Sequence, residues 1–179
     1  MIADGTAVDN AAAEDWLIDG LRQRASRAGR RDGWVYATLD SLLLDVGRLF
    51  VPAPWPGGGS PPGELGRCFA ESVSWAWASD GELAYVEGWA ADAMDIDRIA
   101  HAWCAGPDGK ALDTTWPRPG LAYLGLPVRA EAAKDLMLEH LGPLLHGRDG
   151  IISDLGEIWL RDGVPAELLM DVGRPIPRG

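Results

Sequence analysis

Residues 98–116 read RIAHAWCAGPDGKALDTTW, and the interpretation of the whole chain starts from this stretch. Two short runs rich in apolar residues, 98–105 and 110–116, flank the turn signal Pro107-Asp108-Gly109. A turn of this composition between two such runs is typical of a β-hairpin. The stretch therefore predicts two neighbouring antiparallel strands.

This hairpin would bring a histidine close to a carboxylate. A turn centred on Pro107 and Asp108 places Asp113, or a residue next to it, opposite His101. Opposed residues on one face of a sheet have Cβ atoms about 4.5–5.5 Å apart, within reach of a side-chain hydrogen bond. An aspartate in that position fixes the imidazole tautomer and stabilises the imidazolium, as the third member of a catalytic triad does. A shift of register by one residue would turn Asp113 to the other face.

Cys68 is the candidate nucleophile. It follows GELGR (63–67) at the start of a predicted helix that ends near Asp80-Gly81. Free backbone N–H groups and the positive end of the helix dipole stabilise a thiolate at such a position. The same N–H groups can form an oxyanion hole. Cys68, His101 and Asp113 then form a possible triad in that chain order.

The scarcity of side-chain amides decides what the third member can be. The chain contains one asparagine, Asn10, and one glutamine, Gln23. Both precede Cys68, whereas a papain-type Cys-His-Asn arrangement requires an asparagine after the histidine. A thiol triad in this chain must therefore end in an acidic residue.

Composition narrows the class of protein. With 179 residues, the chain is expected to form one domain, residues 1–179, with its core at about 63–128. Apolar residues make up 47% and charged residues 24%, as in globular proteins. The net charge of −11 disfavours nucleic acid as a partner. We expect no membrane association, because no run reaches ~18 apolar residues and no secretory signal is recognised, and we expect a cytoplasmic location.

Periodicity predicts helices at both ends of the chain and a sheet in the middle, an α+β fold. The PAPWPGGGSPPGELG stretch (52–66) is predicted to be a long surface loop. The predicted helices are 10–28, 39–49 (capped by Asp40 or Ser41), 66–80, 130–145 and a short one near 165–171. Strand 122–128 is expected at a sheet edge, ended by Pro127.

Four segments resemble the bacterial transglutaminase-like cysteine enzymes. These are GRCFAES (66–72), YVEGWA (85–90), HAWCAGPDGKALDTTW (101–116) and YLGLPV (123–128). The His-Ala-Trp block followed by Asp-x-Thr-Trp is the most specific part. The resemblance implies a papain-like α+β core with the nucleophile helix packed on an antiparallel sheet. It also implies Cys68 as nucleophile, His101 as general base, Asp113 as orienting carboxylate, and acyl transfer through a thioester.

Two relatives within that superfamily leave the substrate open. Gly66-Arg67-Cys68-Phe69 is similar to the Arg-Gly-Gly-x-Cys-Phe-Glu stretch of arylamine N-acetyltransferases, although the arginine is displaced and this chain is short for that family. The leader peptidases of lasso-peptide pathways share the order of Cys and His-Ala-Trp. Peptidase, amidase, deamidase and acyltransferase all remain possible, on a peptide or small-molecule acyl substrate. The oligomeric state is not indicated.

Three further residues are candidates for contact with the substrate. Trp103 shares a strand face with His101, Trp55 lies in the Pro/Gly loop, and Arg67 precedes Cys68. Trp75, Trp77, Trp89, Trp103 and Trp116 all fall inside the predicted core segments, so core packing is predicted for this set, with a cleft position as the other interpretation of Trp103.

The remaining cysteine and histidines are assigned structural or surface positions. Cys104 falls on the opposite face of the strand from His101, which predicts a core position and argues against a zinc site. His140 and His146 are predicted at the surface. No metal and no cofactor is expected.

The leading hypothesis is a cysteine-dependent enzyme that cleaves or forms an amide or ester bond with Cys68, His101 and Asp113. The alternative is a non-catalytic binding or scaffold protein that retains the fold, with its acidic surface recruiting a basic partner.

Overall fold

The computed structural model describes residues 5–92, 98–147 and 151–177, with side chains described from residue 10 onward. The helices are α1 (Gly5–Ala28), α2 (Leu39–Val46), α3 (Cys68–Ala78), α4 (Ala130–Glu139) and α5 (Asp154–Asp162). The strands are β1 (Arg48–Ala53), β2 (Ala84–Ala91), β3 (Arg98–Ala105), β4 (Lys110–Leu112), β5 (Ala122–Arg129) and β6 (Arg174–Pro175). The α+β class predicted from the sequence is confirmed.

The six strands form a sheet in the order β4-β3-β2-β5-β1-β6. Neighbours in this order are antiparallel, but β1 also pairs with β4 in parallel, with Val51 beside Lys110 and Ala53 beside Leu112. This extra pairing joins the two sides of the sheet into a small closed barrel. The sequence predicted a purely antiparallel sheet, and the parallel pairing of β1 with β4 corrects this prediction.

Burial on both faces explains why β2 and β3 read as continuous apolar runs rather than alternating ones. One face lines the barrel, and the other faces the helices. The barrel interior is small, so alanines alternate there with a few large side chains. The cluster inside the barrel comprises Phe50, Ala84, Val86, Ala90, Trp103, Ala105, Ala111, Tyr123 and Val172.

The helices pack on the outer face of the sheet and form the larger hydrophobic cluster. On α1, Leu17 and Leu21 are one helical turn apart and both are buried. On α5, Leu155 and Trp159 repeat this spacing. Helices from both ends of the chain thus contribute to one core.

Helix α2 is shorter than predicted and has a different cap. It ends at Val46 rather than at Leu49, because the chain enters β1 at Arg48. Its N-cap is Thr38, whose hydroxyl accepts from the Ser41 N–H while the Ser41 hydroxyl accepts from the Thr38 N–H. This capping box replaces the predicted cap by Asp40 or Ser41 itself.

Two strand predictions are corrected. The strand predicted at 110–116 ends at Leu112. Strand β5 is not an edge strand, because it pairs with β2 on one side and β1 on the other. Pro127 is nevertheless accommodated, since the pairing with β1 reaches only from Tyr123 to Gly125.

The C-terminal part is more structured than the sequence indicated. Helix α4 ends at Glu139, six residues before the predicted end, and α5 was not predicted. The helix expected near 165–171 is a single 3₁₀ turn at Ala166–Leu168. Among the described residues, every helix is too short or too polar to cross a bilayer.

Candidate functional site

The structure places His101 and Asp113 in direct contact. Nε2 of His101 lies 2.7 Å from Oδ2 of Asp113, and both side chains are buried. A carboxylate only accepts, so the imidazole donates its Nε2–H to Asp113. The observed register pairs Cys104 with Leu112 and Ala105 with Ala111, which keeps His101 and Asp113 on the same side, as predicted.

Asp113 is held in place by the turn that it begins. Its Oδ1 accepts from the backbone N–H groups of Thr115 and Trp116, each at 2.9 Å, and from the Thr115 hydroxyl at 3.3 Å. This is the local bonding pattern that makes aspartate favourable at the start of turns. The same bonds explain why β4 stops at Leu112, because the backbone turns to satisfy the carboxylate.

The shortness of β4 leaves room for α3 beside His101. In the described residues, β3 pairs with β4 only at Cys104 and Ala105, so the edge near His101 is free of a neighbouring strand on that side. Ser72 of α3 bonds through its hydroxyl to Thr114 at 2.8 Å, next to Asp113. The Cys104 thiol donates to the Ser72 carbonyl at 3.3 Å. These bonds fix the position of α3 relative to β3.

Cys68 is the first residue of α3. Gly66 has a φ of +86°, a left-handed conformation that favours glycine and redirects the chain into the helix. No side chain among the described residues caps this helix at its N-cap, Arg67. The first N–H groups of α3 thus have no acceptor from the side chain at the N-cap.

The pKa of His101 depends on both Asp113 and Cys68. Burial alone would lower its pKa, but hydrogen bonding to Asp113 and to the Cys68 side chain outweighs burial and raises the pKa to about 9. Nε2 is already bonded to Asp113, which leaves Nδ1 as the ring nitrogen open to another partner. Burial raises the pKa of Asp113, but the hydrogen bond and positive charge of His101 reverse this effect, so the net shift is downward and the carboxyl remains ionised.

Aromatic rings fix the plane of the imidazole. Trp116 stacks on His101 with ring centroids 4.1 Å apart and planes inclined by 21°. Trp103 lies on the same face of β3, with its centroid 6.3 Å from that of His101. Trp103 is completely buried inside the barrel, so the expectation that it lines a substrate cleft is wrong. It packs against Phe50 and Tyr123 instead.

The Pro/Gly loop forms one wall of a small pocket at the site. Trp55 of this loop lines a pocket of about 60 Å³ together with Asp113 and Trp116. The loop is attached at Gly63, whose N–H donates to the Thr114 carbonyl at 2.8 Å. A Cβ on Gly63 would lie 2.6 Å from that carbonyl oxygen, so glycine is required for this close approach.

The larger pockets lie elsewhere on the protein. Two pockets of about 600 and 610 Å³ lie against α3 and α4: the first is lined by the C-terminal end of α3, and the second by residues along most of its length. Neither lining includes His101 or Asp113. The lining of the second pocket includes Phe69, the neighbour of Cys68. Of the three candidate triad residues, Asp113 lines the small pocket, and the two large pockets are lined by none of the three.

The arginine before Cys68 has partners of its own. Arg67 is 60% exposed and lies 3.6 Å from Glu64 and 3.9 Å from Glu71. Its positive charge is thus shared with two carboxylates at the entrance to α3, where the sequence predicted a substrate contact.

Cys104 and His146 complete the set of sequence predictions. Cys104 is fully buried, which confirms its core position, and burial raises the pKa of its thiol to about 12. His146 was predicted at the surface but is buried, with Nδ1 3.1 Å from Oε1 of Glu87. Trp75 and Trp77 were predicted in the core but are 40% and 50% exposed.

Several residues that support the site were not predicted from the sequence. They are Ser72, Thr114, Thr115 and Tyr123, which bond to Asp113 or to its turn. Isolated hydroxyl residues carry no motif, although the Thr115 position has a local signal in the Asp-Thr-Thr-Trp sequence. In the part of the chain that the structure describes, no group of three histidine, cysteine, aspartate or glutamate side chains is arranged to hold a metal ion.

Comparison with known proteins gave no family model, no curated protein and no solved structure that matches this chain.

Proposed function

We propose that this protein is a cysteine-dependent acyl-transfer enzyme with a transglutaminase-like core. The observation that carries the proposal is the buried His101–Asp113 pair, with Cys68 beside it at the start of α3. Nε2 donates to Asp113 at 2.7 Å, and the Cys68 side chain is near enough to the ring to contribute to the raised pKa of His101. A nucleophile, a base and an orienting group placed close together are the parts that thiol catalysis requires.

The proposed reaction begins from a pair in which the proton of the Cys68 thiol has already passed to His101, so the ring is an imidazolium before the substrate arrives. The raised pKa of His101 makes the imidazole a stronger base for this proton. The thiolate attacks the acyl carbonyl, a C–S bond forms, and the carbonyl oxygen becomes an oxyanion. Free N–H groups at the start of α3 can stabilise this oxyanion.

The intermediate then collapses with cleavage of the bond to the leaving group. The leaving amine or alkoxide takes the proton from His101, and Cys68 carries the acyl group as a thioester. Water or an amine then gives a proton to His101 and attacks the thioester. The C–S bond breaks, and the thiolate returns. Asp113 stabilises the imidazolium in both halves of the reaction.

Thiol alkylation tests this proposal without knowledge of the substrate. At about pH 6, where an ordinary thiol is almost entirely protonated, Cys68 should react with iodoacetamide much faster than free cysteine does. His101→Ala should remove this advantage. Cys104→Ala should still show this advantage over free cysteine, since the Cys104 thiol is completely buried and is not the thiol that reacts.

The same experiment separates the enzyme from a scaffold protein. If Cys68 reacts no faster than a free thiol, and His101→Ala does not change its rate, the catalytic proposal is wrong and a binding role becomes the better explanation. Circular dichroism of each variant shows whether the fold is retained.

A further inference from the structure

Tyr123 of β5 contacts the same oxygen of Asp113 that holds His101. The Tyr123 hydroxyl lies 2.9 Å from Oδ2 of Asp113 and 2.7 Å from the backbone nitrogen of Gly120. His101 approaches this Oδ2 at 2.7 Å through Nε2. The tyrosine ring is completely buried, so these contacts are made away from solvent.

The direction of each hydrogen bond follows from the groups involved. The Gly120 N–H can only donate, so the tyrosine oxygen accepts from it. The Asp113 carboxylate only accepts, so the tyrosine O–H donates to Oδ2. Burial and the nearby charge of Asp113 raise the pKa of Tyr123 well above its ordinary value, which keeps this proton on the phenol. The resulting chain runs from Gly120 through Tyr123 to Asp113.

Resting on the proposed function, we propose that Tyr123 is a positioning residue that sets how strongly Asp113 holds the proton of His101. Two donors on one oxygen compete for its negative charge, so each weakens the bond of the other. The Tyr123 hydroxyl therefore moderates the pairing of Asp113 with the imidazolium. Without this hydroxyl, Oδ2 becomes a better acceptor for His101, and the imidazolium keeps its proton to a higher pH.

The structure provides a matched control for this role. Tyr85 is also a fully buried tyrosine on a central strand, and its hydroxyl donates to a carboxylate, Oε2 of Glu87, at 2.8 Å. It lies on the opposite face of the sheet, among the residues that pack under the helices. Tyr85→Phe thus removes a similar hydrogen bond from a carboxylate that does not contact His101.

The experiment is the pH dependence of Cys68 alkylation by iodoacetate in wild type, Tyr123→Phe and Tyr85→Phe. This anionic reagent needs the thiolate and is attracted by the imidazolium, so its rate should fall as His101 loses its proton near pH 9. In Tyr123→Phe we expect the midpoint of this fall to move upward by about 0.5 pH unit, which corresponds to part of one hydrogen bond. In Tyr85→Phe the midpoint should stay where it is in wild type.

A midpoint that is unchanged or lowered in Tyr123→Phe overturns the inference, as does an equal upward shift in Tyr85→Phe. A wild-type rate without a falling limb contradicts the proposed function instead. In that case, titration of the His101 ring signals by NMR still decides the role of Tyr123. An upward shift of the His101 pKa in Tyr123→Phe supports this role, and no upward shift overturns it.

Discussion

His101 is buried, and yet it holds its proton more tightly than a histidine in water. Burial disfavours the charged form of the imidazole, as it does for any cationic side chain. The bond to Asp113 and the contact with Cys68 outweigh this penalty and place the pKa at about 9. The site thus keeps a positive charge beside the thiol at neutral pH, which is the state that stabilises a thiolate.

The shifted pKa of His101 makes stability depend on pH. A folded-state pKa raised from 6.5 to about 9 gives a stabilisation that is fully present below pH 6.5 and is lost as the pH rises through 9. We expect the free energy of unfolding to fall over this range by up to about 3 kcal/mol. His101→Gln should abolish this fall. Urea unfolding at a series of pH values measures it.

His140→Gln provides the control, because this imidazole lies at the end of α4, away from the site. It should leave the fall in stability between pH 6.5 and 9 intact. An equal fall in wild type and His101→Gln would show that Asp113 does not stabilise an imidazolium in the folded protein.

The contact between His101 and Asp113 could be predicted from the sequence, but the positions of neighbouring residues such as Trp103 and His146 could not. Because side chains alternate between the two faces along a strand, the predicted pairing is enough to place His101 and Asp113 on one face. Trp103 shares that side, but whether the side is an open cleft or a barrel interior depends on closure by a distant strand. His146 was misplaced because its partner, Glu87, lies on a strand far away in sequence.

At the scale of elements, the placement of α3 decides whether Cys68 can reach His101. Ser72 lies one turn after Cys68, on the buried face of α3. Its hydroxyl bonds to Thr114, and its carbonyl accepts from Cys104. The helix is therefore attached to both the turn that holds Asp113 and the strand that holds His101.

Ser72→Ala should loosen this attachment. The substitution leaves the buried Thr114 hydroxyl without its partner, so we expect a loss of about 1–3 kcal/mol in the free energy of unfolding. Alkylation of Cys68 should also slow, since α3 is no longer held against the turn. Thermal or urea unfolding and the iodoacetamide rate measure the two effects.

Ser74→Ala is the matched control on the same helix. Ser74 is exposed, and its hydroxyl bonds to the Ala70 carbonyl of its own helix at 2.8 Å. Its replacement should change stability by less than about 0.5 kcal/mol and leave the alkylation rate unaltered. If both serine variants behave alike, Ser72 does not position the nucleophile.

Element boundaries were less predictable than element types, for reasons that the structure makes clear. The strand after the Pro107 turn is short because Asp113 bonds to the backbone of its own turn. The edge predicted for β5 from Pro127 is wrong, because β1 pairs with Tyr123–Gly125 and Leu169 forms a bridge to Val128. In both cases side-chain bonding or distant pairing overrides a local propensity.

On the scale of the whole molecule, a buried glutamate attaches the C-terminal part to the sheet. Glu87 of β2 is fully buried and accepts the N–H groups of three consecutive residues, Leu144, Leu145 and His146. It also accepts from the Tyr85 hydroxyl at 2.8 Å. The segment between α4 and α5 is thus bonded to a carboxylate that solvent does not reach.

Glu87→Gln should destabilise the protein strongly. The amide NH₂ cannot accept, so some of these N–H donors lose their partner while remaining buried. We expect a loss of about 3–5 kcal/mol in the free energy of unfolding, measured by urea denaturation. Glu157→Gln, on the exposed side of α5, should cost less than about 0.5 kcal/mol. Similar losses for the two variants would contradict the anchoring role of Glu87.

The α+β class could be predicted for the whole molecule, whereas closure of the barrel could not. Helical patterns at both ends of the chain and strand patterns in the middle identify the class from local sequence. Closure depends on the parallel pairing of β1 with β4, two strands far apart in sequence. The run LDSLLLDVGRL predicts a helix up to Leu49, whereas Leu49 lies in β1.

The central claim, acyl transfer through Cys68, is tested most directly by trapping the thioester. The protein is mixed with p-nitrophenyl acetate and quenched in acid, and the modified residue is located by mass spectrometry of the intact chain and its peptides. We predict one acetyl group on Cys68 in wild type and in Cys104→Ala, and strongly reduced labelling of Cys68 in His101→Ala. Absence of an adduct on Cys68, or equal labelling in His101→Ala, would contradict the claim.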